Sequence, residues 1–214
     1  MSLFRRKKPS DEPIPDAQAE ELLEKAFEAS LEYYDQPLSP DLGKPLRRFV
    51  DLLIDEAAIS SDSGAIWTRD DVGSLMASTG MAGYALRTFE EQMGNSETPV
   101  RVMQIGLSEL AEESPNAPLS DLIFHACGGW AMPTHPDPWF GISKGVPGGL
   151  GSSARQALGG QTASAMKSML TDRKGVAPPA WVSQDLLEGC WRFGYSIRCA
   201  EVSLAPGQVL ARPA

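Results

Sequence analysis

His125, Cys127, His135 and Asp137 fall within thirteen residues of one another, and the two histidines are the only ones in the chain. Metal centres and nucleophile–base pairs are built from these side chains. The H-x-C and H-x-D pairs offer suitable ligand types, and the loop between them could close round one ion, but structural zinc sites use a tighter pair signature. A Cys127 thiolate with His125 or His135 as its base is the covalent alternative, although two such residues in one loop arise easily by chance. The zinc-deaminase signature is missing, since the chain contains neither H-x-E nor P-C-x-x-C.

Two glycine motifs follow. Gly141-Ile142-Ser143-Lys144-Gly145 has the letters of a nucleophile elbow, whose chemistry needs a strand before the serine and a helix after it. Pro136 and Pro138 precede it and Pro147, Gly148 and Gly149 follow, which supports neither element. Gly149-Leu150-Gly151-Ser152-Ser153-Ala154 matches a dinucleotide loop, with Asp172 about twenty residues on. No strand leads into it and no alternation of strands and helices surrounds it. What survives is anion binding: Gly151, Ser152 and Ser153 open a helix, where free N–H groups and the helix dipole favour negative charge. No cofactor is implied.

All these residues lie in one stretch, Phe124 to Ser153, which is dense in glycine and proline and also holds Trp130, Trp139 and Phe140. Its plainest reading is a long ordered loop, stiffened by prolines, with aromatics packed on the protein body. The same aromatics, with Trp67, are the side chains best suited to contact a partner.

The elements that would carry this stretch read as helices. Asp16 caps a pattern of Ala19, Leu22, Leu23, Ala26 and Phe27 at three- and four-residue steps. Ser39-Pro40-Asp41 opens a second helix, with Leu46, Phe49, Val50, Leu53 and Ile54, that ends near Ala58. Thr68 and Asp71 approximate a capping box for a short third helix, and Gly80 separates it from a fourth, Met81 to Met93, with Tyr84, Ala85, Thr88 and Phe89 inward. Thr98-Pro99 starts a fifth with Val100, Met103, Leu107 and Leu110, closed by Pro115 and Pro118. Ser120 caps a short helix that breaks at Gly128-Gly129. A helix from Ala154 to Thr171 carries Gly159-Gly160, which predicts a kink or a very close backbone contact. The last and longest helix opens at Pro178-Pro179 and runs to about Val202, and its apolar stripe, widened by Trp181, Trp191 and Tyr195, predicts the centre of the bundle.

Composition sets the outer bounds. The 42 % hydrophobic and 22 % charged fractions suit a globular protein. No apolar run approaches the roughly 18 residues a membrane helix needs. The net charge is -9, and without Arg5, Arg6, Lys7 and Lys8 the remainder carries -13, which disfavours nucleic acid. Those four basic residues, after Leu3 and Phe4, could make a weak peripheral membrane contact. No apolar segment follows them, so they do not begin a secretory signal. Three cysteines, an odd number without framework spacing, agree with a reducing, cytoplasmic setting, and Cys190 and Cys199 are too far apart along one helix to pair.

The expectation is an all-α, single-domain bundle of about seven or eight helices with one long ordered Gly/Pro-rich loop. Residues 1–15 form a basic tail, 16–204 the helical domain and 205–214 a C-terminal tail. The functional expectation is a non-catalytic intracellular protein that acts by protein–protein interaction or self-assembly. The alternative is an enzyme, or a small-molecule or anion binder, with its site between the 125–153 loop and the last helix, where Arg192 or Arg198 would join His125, Cys127, His135 and Asp137.

Overall fold

In a computed structural model of the protein, the structure describes residues 40–58, 67–92, 97–131 and 152–204. Among these residues there are six helices and no strand. The expected helix after Asp16, both tails and most of the Gly/Pro-rich loop lie outside the described residues.

Helix α1 (Pro40–Ala58) turns its periodic apolar face inward, burying Leu46, Phe49, Val50 and Ile54. Helix α2 (Arg69–Gln92) opens on the expected reciprocal cap: the Asp71 N–H donates to Thr68 Oγ1 at 3.1 Å, and the Thr68 N–H donates to Asp71 Oδ2 at 2.9 Å. The expected break at Gly80 does not occur, and the chain continues as one helix of 24 residues. Gly80 is there for contact: a Cβ on it would stand 2.7 Å from the Leu46 side chain and 3.2 Å from the Cys190 carbonyl oxygen.

Helix α3 (Glu97–Glu113) carries Pro99 in its first turn, where a missing N–H costs nothing, and buries Met103 and Leu107. Helix α4 (Leu119–Ala131) runs through Gly128-Gly129, the place where a break was expected. Ile123, Ala126, Cys127, Trp130 and Ala131 are all buried, and this burial outweighs the roughly 1 kcal/mol that each glycine costs a helix. The Arg192 guanidinium donates to the Ala131 carbonyl at 3.1 Å, which satisfies an orphan acceptor at the helix end.

At its glycine pair helix α5 (Ser152–Lys174) is approached by side chains rather than by the backbone that was expected there. A Cβ on Gly159 would lie 3.0 Å from the Trp191 ring, and the Gln184 side-chain amide donates to the Gly160 carbonyl at 2.7 Å. Gly175, at φ +70°, ends the helix in the left-handed conformation that glycine adopts without penalty. Helix α6 (Gln184–Ser203) starts later than the proline pair suggested, because Ser183 is its N-cap and accepts from the Leu186 N–H at 3.1 Å. At 20 residues it is shorter than α2 and α5 and so is not the longest. It is nonetheless the centre: α1, α2, α3, α4 and α5 all pack on it, and eleven of its residues are buried. At one end of this core the Phe49 and Phe193 rings stack with centroids 4.2 Å apart, and Phe124 meets Phe193 edge-on at 5.9 Å.

Candidate functional site

The residues proposed for chemistry do not converge where the structure describes them. His125 is exposed on α4, with its ring edge-on to Phe124. Cys127 is two residues on, about 200° round the helix, and is wholly buried. Burial pushes the Cys127 thiol up to about 12, against a weaker opposing hydrogen bond from Ser196. A thiol that keeps its proton this firmly is a poor nucleophile.

Arg192 is engaged by the Ala131 carbonyl and by Glu188 at 3.8 Å, and Arg198 is held among carboxylates. Trp130 is buried in the core, so its side chain is not part of the described surface. Trp67 is buried as well: its indole N–H donates to the Val176 carbonyl at 3.1 Å, and Lys174 lies 5.1 Å above its ring while pairing with Asp71 at 2.5 Å. This Trp therefore fastens the start of α2 to the end of α5. Ser152 and Ser153 are the first two residues of α5. His135, Asp137, Trp139, Phe140 and Gly151 lie outside the described residues, as do the side chains of the two serines. Among the described residues no group of three or more His, Cys, Asp or Glu is placed to hold a metal.

The densest polar chemistry lies instead between α2 and α6. Arg87 and Glu90 are buried, and Arg87 approaches Glu90 at 3.5 Å and Glu91 at 3.6 Å. The Tyr195 hydroxyl donates to Glu90 Oε2 at 2.5 Å, and the Tyr84 hydroxyl donates to Glu201 Oε2 at 2.7 Å. Arg198 forks onto Glu91 from Nε at 3.1 Å and Nη2 at 2.7 Å, and its Nη1 donates to Glu201 at 3.0 Å. Burial, and then the bond to Glu201, push the Tyr84 phenol well above its ordinary value. Two guanidinium groups and two phenols thus answer three carboxylates, which is how buried charge becomes tolerable.

A sequence signal for this network exists: Gly83-Tyr84-Ala85-Leu86-Arg87-Thr88-Phe89-Glu90 and Gly194-Tyr195-Ser196-Ile197-Arg198-Cys199-Ala200-Glu201 share Gly-Tyr, Arg three residues after the Tyr, and Glu three after that. Each motif gives its tyrosine to the other's glutamate. Gly83 meets Trp191 and Tyr195 while Glu91 meets Arg198, so the helices run in the same direction. Their backbones touch: a Cβ on Gly194 would fall on the Gly80 carbonyl, and one on Gly83 on the Trp191 carbonyl.

At the surface, Lys44, Arg47, Arg48, Asp51, Leu52 and Asp55 line an open groove along α1. Arg69 neutralises Asp55 at 2.6 Å and Asp51 at 3.4 Å, while Asp121 holds Arg48 at 2.7 Å. Arg48 also lies 4.3 Å above the Phe124 ring. Lys44, Arg47, Arg48 and Arg69 against Asp51, Asp55 and Asp121 leave a local excess of one positive charge in an acidic protein, at the Lys44 and Arg47 end of the groove, which also holds a Leu52 that is 51 % exposed. Compared with known proteins, the chain matches no family model, no curated protein and no solved structure.

Proposed function

We propose that this chain is a non-catalytic helical protein that works by binding another protein or a copy of itself. One observation carries the reading: the described side chains that could act as nucleophile or base diverge, while the tyrosine, glutamate and arginine side chains between α2 and α6 are engaged in joining the two helices. Such an arrangement builds a stiff body and leaves contact to the surface. The basic groove of α1, with exposed Leu52 at its centre, is the described surface best suited to it.

The test compares proteins co-purifying with the wild-type chain, with Lys44→Glu/Arg47→Glu and with Cys127→Ser, each retained protein then being remade pure and titrated against the chain. The groove variant is expected to lose at least one titratable partner that Cys127→Ser keeps. Equal binding by all three proteins would sink the assignment of contact to α1.

A further inference from the structure

From the charge pattern of two exposed helix faces we infer that the occupant of the α1 groove is helix α3 of a second copy of this chain, packed antiparallel. This rests on the interaction reading above and names its partner. On α1 the outward residues Lys44, Arg48, Leu52 and Asp55 follow one another at steps of four, four and three, so they share one face. On α3 the exposed residues Arg101, Ile105, Glu109 and Glu112 follow the same steps. Each set spans eleven residue steps, about 16 Å of helix. Ile105 is 52 % exposed and Leu52 51 %.

Run antiparallel, the two faces match to within one residue. Ile105 meets Leu52, Arg101 meets Asp55, Glu109 meets Arg48, and Glu112 meets Lys44 with Arg47 beside it. Run parallel, Lys44 would face Arg101 and Asp55 would face Glu112, so like charges select the antiparallel sense. Within one chain α1 packs on α2, α4 and α6, and α3 on α4 and α6; on the outward face of α1, Arg48 already pairs with Asp121 and Asp55 with Arg69, so these two would share their partners with the second copy, while Lys44 and Leu52 face it directly. Exposed ion pairs add little each, which makes this a weak contact with strong salt dependence.

The experiment is sedimentation velocity on the purified full chain over a hundredfold concentration range, at low salt and at about 0.5 M salt, where screening is short-ranged. The weight-average sedimentation coefficient should rise with concentration at low salt and fall back at high salt. Lys44→Glu/Arg47→Glu should abolish the rise, as should Glu109→Lys/Glu112→Lys. All four substitutions are at exposed positions, so both variants should melt as the wild type does. Mixed together, the two variants should associate although neither does so alone. A concentration-independent coefficient at low salt would overturn the inference, as would association that survives either charge reversal or a mixture that fails to associate. If the chain stays monomeric while a purified partner still depends on Lys44 and Arg47, self-pairing is overturned and the wider interaction reading stands. Loss of both overturns both.

Discussion

A cysteine sealed in a core behaves as a small hydrophobe until pH makes it an acid. Burial pushes both Cys127 and Cys190 up to about 12, from an ordinary 9.0. Below pH about 9 these thiols are protonated in folded and unfolded chains alike and give no pH dependence. Above it the unfolded chain releases protons that the folded chain keeps, so stability falls as pH rises from about 9 to about 12. Tyr84, also held up by burial, adds a fall of the same sign above about pH 10. We therefore expect the melting temperature to drop steadily over pH 9 to 11, and Cys127→Ala/Cys190→Ala to flatten that slope whatever it does to stability at neutral pH. A slope unchanged in the double variant would refute the thiol account. The chemistry of Cys127 was hard to read in the sequence for a plain reason: proximity to His125 in the chain says nothing about a helix that turns the two to different sides.

At the scale of the elements, glycine is what sequence reading misjudged and what packing explains. Periodic apolar residues and proline punctuation suffice for α1 and α3, whose apolar faces point inward as the spacing requires. Gly80 and Gly128-Gly129 were expected to break helices because a glycine's local propensity is all that sequence shows, and tertiary burial overrides it. Arg87 and Glu90 are invisible to apolar periodicity, which has no place for a buried ion pair, although the repeated Gly-Tyr-x-x-Arg-x-x-Glu pattern marks them in the sequence. The glycines themselves divide into two kinds. Added Cβ atoms at Gly128 and Gly129 meet open space, so Gly128→Ala should stabilise the protein by up to about 1 kcal/mol through helix propensity alone. At Gly194 the same methyl falls on the Gly80 carbonyl, and Gly194→Ala should destabilise by about 3 kcal/mol or more as α2 and α6 are driven apart. Chemical denaturation of the two variants decides it, and similar midpoints would mean that the helix contact is not close.

For the whole molecule, the two motifs imply an approximate two-fold relation between helical hairpins, α1–α2 and α5–α6. In both, the second helix ends eight residues after the motif tyrosine, and in both the hairpin closes on a large residue set against a glycine. The roles are exchanged: Leu46 of α1 packs on Gly80 of α2, whereas Trp191 of α6 packs on Gly159 of α5. Neither hairpin can hide its inner face alone, because the glycine backbones, the crossed tyrosine–glutamate bonds and the Arg198 fork all bridge the two. Between the hairpins the chain runs through α3 and α4, which are joined by a mainly exposed turn at residues 114–118 that carries little of this contact. A protease site inserted there should therefore be cut without the halves parting. The nicked protein is expected to elute as one species and to unfold in a single transition, since α2–α6 and α3–α6 packing both cross the cut. Two separable fragments, or two resolved transitions, would show instead that α1–α3 and α4–α6 are folding units of their own, each containing one hairpin, and that the α2–α6 seam is a docking surface between them.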